Sequence, residues 1–230
     1  MTLILVAEDD PFIRRFIATV AEQAGWETTL TENGARAWAA FETDPDAFDV
    51  VVTDVRMPVV SGLELAERIR RVSSITIIAI SAHGSDEQVV AGLEAGADDY
   101  ITKPLSAPVL DAKIRGALRR ADSTAVRGEG RLEIGDLVLD LDARTLTKAG
   151  VPVPLTRTEL GVLAYLMPNA GRIVSPAQIL GHVWGEAYEE ENEILRVAIL
   201  RLRRKIEDDP SKPRYVVTRV GIGYSFAKQP

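Results

Sequence analysis

The sequence predicts two domains of different class: an α/β domain on a parallel sheet covered on both faces, then an α+β domain. Three observations carry this. Over residues 1–121, short β-branched runs alternate with helical patterns, which is how strand–helix–strand crossovers read. From residue 131 onward, short alternating segments are followed by three helical patterns and a hairpin-like stretch. Between them, "RRADSTAVRGEGR" (119–131) is small and polar without apolar periodicity, so it reads as a linker. The boundaries drawn are 1–121, a linker over 122–130, and 131–230.

Taken in order, the strands of the first domain lie in "LILVAE", "WETTLT", "VVVTD", "TIIAIS" and "DYITK". Helical patterns lie in "PFIRRFIATVAEQAG", "LELAERIRRV", "DEQVVAGLEAG" and "APVLDAKIRGALRR". Asp10 is placed as the cap of the helix that begins at Pro11. In the second domain, "RLEIGDLVLDLDARTLTKAGVPVPL" supplies short strands. One helix follows Thr156, with Glu159 completing a capping box, and a second follows Ser175, with Pro176 in its first position. A third runs through "EILRVAILRLRRKIE", and "RYVVTRVGIGYSF" reads as the hairpin. Trp184 is assigned to the core.

Composition narrows the chemistry. A chain of 230 residues, 46% hydrophobic, is long enough for two ordinary domains. The absence of cysteine excludes disulfides, zinc-thiolate sites and cysteine nucleophiles, and two histidines argue against a histidine-rich metal site. No apolar run approaches the roughly 18 residues of a membrane span, and "MTLILVAEDD" turns acidic too soon for a signal peptide. The expectation is a soluble cytoplasmic protein with no membrane partner. The net charge of −7 is uneven: residues 1–121 hold 12 Lys and Arg against 19 Asp and Glu, and residues 122–230 hold 15 of each. Within the neutral half, Arg196 to Arg219 gathers eight basic and three acidic residues, a candidate contact for a polyanion.

Polar residues of the first domain fall at one end of its strands. Glu8 and Asp9 close the first strand, Asp54 the third, Ser81 the fourth and Lys103 the fifth. All five therefore gather beyond the carboxyl edge of the sheet, where open parallel sheets bind ligands. Three converging carboxylates raise one another's pKa unless a hard divalent cation compensates, and Mg²⁺ is the natural candidate. A lysine and a hydroxyl opposite such a metal would bind the remaining oxygens of a phosphoryl group, leaving one carboxylate to attack phosphorus.

The stretches "ILVAEDD", "VVTDVRMPVVSG", "IIAISA" and "GLEAGADDYITKPL" resemble the receiver domain of two-component response regulators across residues 1–121. The resemblance implies a doubly wound five-stranded sheet in the order 2-1-3-4-5. It implies that Asp54 accepts a phosphoryl group from a sensor histidine kinase and that Glu8, Asp9, Asp54 and the backbone carbonyl of Arg56 hold Mg²⁺. It further implies that Lys103 contacts the phosphoryl oxygens with a cis bond to Pro104, and that Ser81 and Tyr100 act as the switch. Arg56 and His83 occupy positions that tune phosphate lifetime in the family.

In the third helix of the second domain, Leu195, Ile199, Leu202 and Ile206 recur at i, i+4, i+7 and i+11, an apolar stripe facing a core. At about 100° per residue, Val197, Leu200, Arg201 and Arg204 fall on the opposite face, with Lys205 beside them and Arg196 and Arg203 on one flank. A basic outer face suits a DNA major groove, and a solvated basic face is the plainer alternative. The segments "LTRTELGVLAYLMPNAGRIVSPAQILGHVWG" and "LRVAILRLRRKIEDDPSKPRYVVTRVGIGYSF" resemble the winged helix-turn-helix effector of the OmpR/PhoB class over residues 131–227. The resemblance implies binding to double-stranded promoter DNA. Base readout would come from Arg201 and Arg204, phosphate contacts from Arg196 and Arg203, and a wing contact from Arg219, which sits one position before the family's usual arginine. The acidic loop 185–192 matches a segment that touches RNA polymerase in this class, a solvated loop being the alternative.

The resemblance also implies a homodimer on phosphorylation through a face that includes Ala91, Asp98, Asp99, Val109 and Lys113. There, Ala91 and Val109 replace one customary interchain ion pair and Asp99 with Lys113 retains another. Two rivals are weighed. A phosphatase or phosphotransferase with an aspartyl-phosphate intermediate needs a second acid two residues after the nucleophile, where Arg56 stands, so no enzyme activity is expected. An adaptor whose second domain no longer binds DNA is the other.

Overall fold

In the first unit, residues 1–121, the buried β-branched runs assemble into a five-stranded parallel sheet of order β2-β1-β3-β4-β5. The computed structural model describes residues 2–81, 86–121 and 130–228. Chain order runs β1 (Leu3–Ala7), α1 (Pro11–Gln23), β2 (Glu27–Thr31), α2 (Gly34–Thr43), β3 (Val50–Asp54), α3 (Gly62–Arg70), β4 (Thr76–Ser81), α4 (Asp86–Ala95), β5 (Asp99–Thr102) and α5 (Ala107–Ala121). Strands β3 and β4 are buried along their whole length, as expected where helices cover both faces. Ile4, Val6, Val50, Val52, Ile78 and Ile80 pack against Ile17 and Val20 of α1 and Leu110 and Ile114 of α5. The ladders end with Asp54 opposite Ile80 and Ser81 opposite Thr102, which brings the polar strand ends to one edge.

Helix α2 has no counterpart among the four helical patterns of the sequence. It opens on Gly34, and only Ala37 and Phe41 continue its buried stripe, too weak an apolar period to stand out. Its start is set by Asn33, whose side chain accepts from the Arg36 amide at 2.9 Å. A Cβ at Gly34 would lie 2.5 Å from the Val60 carbonyl oxygen, so the close approach of α2 to the loop after β3 requires glycine. The expected cap of α1 is present, with Asp10 accepting from the Phe12 and Ile13 amides.

The second unit, residues 122–230, begins with an antiparallel meander: β6 (Arg131–Ile134), β7 (Leu137–Asp140), β8 (Thr145–Lys148) and β9 (Val151–Val153). Helix α6 (Arg157–Leu166) follows, then β10 (Ile173–Val174), α7 (Pro176–Val183), a 3-10 turn (Glu186–Tyr188), α8 (Asn192–Ile206), β11 (Val216–Arg219) and β12 (Gly223–Phe226). The last two strands form the hairpin, and β10 joins them in a three-stranded sheet of order β10-β12-β11. The expected capping box of Thr156 with Glu159 is formed, and Ser175, the expected cap of α7, forms a second box with Gln178. Trp184 is buried. Of the linker, residues 122–129 lie outside the described residues.

Helix α8 packs against both α6 and α7 and so buries more than one stripe. Ile194, Val197 and Ala198 are buried along with Leu195, Ile199, Leu202 and Ile206. This corrects the sequence reading, in which Val197 faced outward. A stripe read at i, i+4 and i+7 assumes contact on one side, whereas two neighbouring helices widen the buried arc. The exposed arc turns toward Arg196, Leu200 and Arg204.

Candidate functional site

At the carboxyl edge of the parallel sheet, Glu8, Asp9 and Asp54 each bring a carboxylate oxygen within 4.8 Å of the others. Glu8 follows the end of β1 and is fully buried, Asp54 is the last residue of β3 and nearly so, and Asp9 is exposed. Lys103, just past β5, reaches across the edge. Its ammonium lies 3.0 Å from Glu8 Oε2 and donates to Asp54 Oδ2. Burial first, then the Asp54 carboxylate, push the Glu8 carboxyl up to about 7 against the opposing pull of Lys103. Burial alone pulls the Lys103 ammonium down, but its bonds to Asp54 and Glu8 outweigh this and raise its pKa.

Asp54 is held by its surroundings. The Arg56 amide donates to Asp54 Oδ1 at 2.7 Å, and Gly62 lies so close that a Cβ there would be 1.9 Å from the Asp54 carbonyl oxygen. Ser81 ends β4, and its buried hydroxyl has no hydrogen-bond partner among the described residues. The Lys103 amide donates to the Ser81 carbonyl at 2.9 Å, and the bond from Lys103 to Pro104 is cis. Two hard acid groups fixed at a buried edge with a third at its mouth make a donor set of the kind that Mg²⁺ takes, all oxygen and partly open to water. Tyr100 lies on β5, half-buried, with the Lys113 ammonium 5.3 Å from its ring centroid. His83 lies outside the described residues.

The face that the sequence assigned to dimer ion pairs is built differently. Asp99 is fully buried, and its Oδ1 accepts from Lys113 of the same chain at 2.8 Å, with Arg120 3.7 Å from its other oxygen. Asp98 is buried as well, paired with Arg70 of α3 and accepting from the Ile77 amide at 3.0 Å. Both acids are thus buried and paired within their own unit. Val109 is 44% exposed and Ala91 half-exposed, so those two remain at the surface.

The charged residues of α8 divide into three groups. Arg201 and Lys205, expected on the outer face, turn instead to the buried Glu159 of α6. Arg201 Nε lies 3.3 Å from Glu159 Oε1, and Lys205 Nζ donates to Oε2 at 2.6 Å. The physical reason is the cost of burying a carboxylate, which draws the nearest cations inward. Arg203 ties α8 to the hairpin, donating to the Val216 carbonyl at 2.8 and 2.6 Å and to Thr218 Oγ1 at 2.8 Å. Arg196 and Arg204 are exposed, Arg196 pairing with Glu193 one turn earlier. At the hairpin, Arg219 Nε donates to Ser225 Oγ at 3.2 Å, while Val220 stands 92% exposed at the turn. Sequence reasoning took Glu159 for a cap only. The signal for its second role was a carboxylate on an otherwise apolar helix face opposite a run of arginines.

Comparison with known proteins agrees with this architecture. Residues 4–115 match the response regulator receiver domain, and residues 150–226 match the C-terminal domain of transcriptional regulatory proteins. The chain is 38% identical over 228 residues to the sensory transduction protein RegX3 of Mycolicibacterium smegmatis, covering 98% of this chain and 99% of that one. It is 37% identical over 226 residues to the transcriptional regulatory protein KdpE of Mycobacterium tuberculosis, with 98% and 99% covered. Among solved structures, a RitR mutant matches with a TM-score of 0.79 at 25% identity, over 99% of this chain and all of that one. The chain belongs to the response regulators of the OmpR/PhoB class, with a receiver domain and a winged helix-turn-helix domain. It is thus a two-component transcription regulator. Among the described residues, no helix is long and apolar enough to cross a membrane.

Proposed function

We propose that phosphoryl transfer from a sensor histidine kinase to Asp54 controls how this chain binds promoter DNA. The observation that carries the reading is the convergence of Glu8, Asp9, Asp54, Ser81 and Lys103 at one edge of the sheet. Asp54 Oδ attacks phosphorus as the donor's P–N bond breaks, and the departing imidazole takes up a proton from water. Glu8, Asp9, Asp54 and the Arg56 carbonyl would hold Mg²⁺, which would supply neutralising charge to the phosphoryl oxygens. Lys103 exchanges its carboxylate partners for a phosphoryl oxygen. The unpartnered Ser81 hydroxyl donates to another, and Tyr100 turns inward behind it.

Phosphorylation promotes pairing of two receivers through the face of α4, β5 and α5. The exposed Val109 and half-exposed Ala91 support an apolar contact there with weak salt dependence. Arg196, Leu200 and Arg204 of α8 meet the major groove, and Arg203 carries the hairpin with the helix. The test is labelling by a small phosphodonor. Wild-type protein takes a hydroxylamine-labile label only with Mg²⁺, and Asp54→Asn takes none. An Asp54→Asn protein that labels fully overturns the assignment.

A further inference from the structure

The carbonyls of Glu8 and Asp9 lie beyond the ladder of β1, which ends at Ala7. Both accept from one side chain: Arg14 Nη1 is 2.6 Å from the Glu8 carbonyl oxygen and 3.2 Å from that of Asp9. Arg14 belongs to the first turn of α1, where the helix's own field disfavours a cation. A cation kept at such a position has a compensating partner, and here it is the backbone of the two adjacent acids. We propose that Arg14 is a positioning residue for the acid cluster: it clamps the loop between β1 and α1, so that the carboxylates of Glu8 and Asp9 are already aimed when a divalent cation arrives. The inference rests on the proposed Mg²⁺ site.

Arg14 and Lys103 both sit beside this cluster, and they do opposite things. Lys103 contacts side-chain oxygens of Glu8 and Asp54, two of the carboxylates that would hold a metal. Arg14 uses only carbonyl oxygens, so it stays in place whether or not a metal is bound. The rest of the loop is fixed in the same manner. The Glu8 amide donates to the Thr31 carbonyl at 3.1 Å, and the Asp10 amide donates to Glu8 Oε1 at 3.2 Å. Two effects of Arg14 on the metal compete. Its charge repels a divalent cation, while its two bonds remove the freedom the loop must otherwise lose on binding. The guanidinium is partly open to water, which screens the first effect but leaves the second intact.

The test is a calorimetric Mg²⁺ titration of the full chain at pH 8, comparing wild type with Arg14→Met and Arg14→Lys, alongside urea unfolding without metal. Loss of an outer-shell partner typically weakens a metal about tenfold or more, and that is the shift expected for Arg14→Met. Arg14→Lys, which keeps the charge and one donor, falls between. In phosphodonor labelling, the Mg²⁺ concentration for half-maximal rate rises in both variants, and the rate at saturating Mg²⁺ is unchanged. If Arg14→Met binds Mg²⁺ as tightly as wild type or more tightly, repulsion dominates and the proposal fails. If Arg14→Met unfolds, Arg14→Lys decides alone, and wild-type affinity in that variant overturns the proposal. Wild-type protein that binds no Mg²⁺ at all overturns the metal site itself, a separate result from a failure of Arg14.

Discussion

Two buried glutamates, Glu8 at the sheet edge and Glu159 in α6, solve the same electrostatic problem in opposite ways. Glu8 shares one lysine with a second buried acid, Asp54, and its burial, followed by the Asp54 charge, pushes its carboxyl up to about 7. Glu159 faces two cations, Arg201 and Lys205, and also accepts from the Thr156 amide at 2.8 Å. The first arrangement is incomplete without a further cation or a proton, as a site should be. The second has more positive than negative charge around its carboxylate, as a joint should. The difference separates binding chemistry from architecture where both look like clusters of charge.

The largest expected effect comes from breaking the second arrangement. Replacing Glu159 by alanine leaves Arg201 and Lys205 without their buried partner and opens the cap of α6. Stability should fall by about 3–5 kcal/mol in urea unfolding, and the preference for specific over random DNA should be lost. A change below about 1 kcal/mol would place Glu159 among ordinary surface caps.

The incomplete arrangement should show itself in pH. The folded pKa of Glu8, about 7, lies above its ordinary 4.5, so between those values the native state holds a proton that the unfolded state has released. This contribution is full below pH 4.5 and is lost as pH rises through 7, amounting to about 3 kcal/mol at most. Glu8→Gln should flatten that slope in thermal melts taken from pH 5 to 8. Mg²⁺ should reverse it in wild type, stabilising more at pH 8 than at pH 6 because only the ionised carboxyl is a ligand.

On α8 the comparison predicts a split among arginines. Arg204→Ala, on the exposed arc, should cost about 1–3 kcal/mol on a preferred site, measured by gel shift. Arg196→Ala should weaken all sequences alike and lower the salt slope by about 1. Equal losses at Arg196 and Arg204 on every sequence would reduce the helix to a general phosphate contact. The smallest effect is expected at Val59, a β-branched residue 82% exposed at a φ of +72°. Val59→Gly should raise the melting temperature by an amount worth about 1 kcal/mol.

How much of this was legible in the sequence follows from geometry. Strand ends are read by position, because in a parallel sheet every strand delivers its last residue to the same edge. Glu8, Asp9, Asp54, Ser81 and Lys103 could therefore be grouped without knowing any rotation about an axis. Residues on a helix are read by angle, and α8 has buried neighbours on two sides, so the reading missed Val197, Arg201 and Lys205. That Asp98 and Asp99 are buried and paired within the chain was not legible, because their partners Arg70 of α3 and Lys113 of α5 are distant in sequence. Arg14 left a trace, a cation in the first turn of a helix, whereas α2 left almost none.

The central claim, that chemistry at Asp54 governs binding at α8, is tested by DNA affinity at fixed salt with and without a phosphoryl mimic and Mg²⁺. For this, a preferred site selected from a random DNA pool serves as probe. Wild-type protein should bind more tightly when activated, and Asp54→Asn should bind identically in both states. Equal affinity of wild-type protein in the two states, with the mimic shown to be bound, would contradict the account.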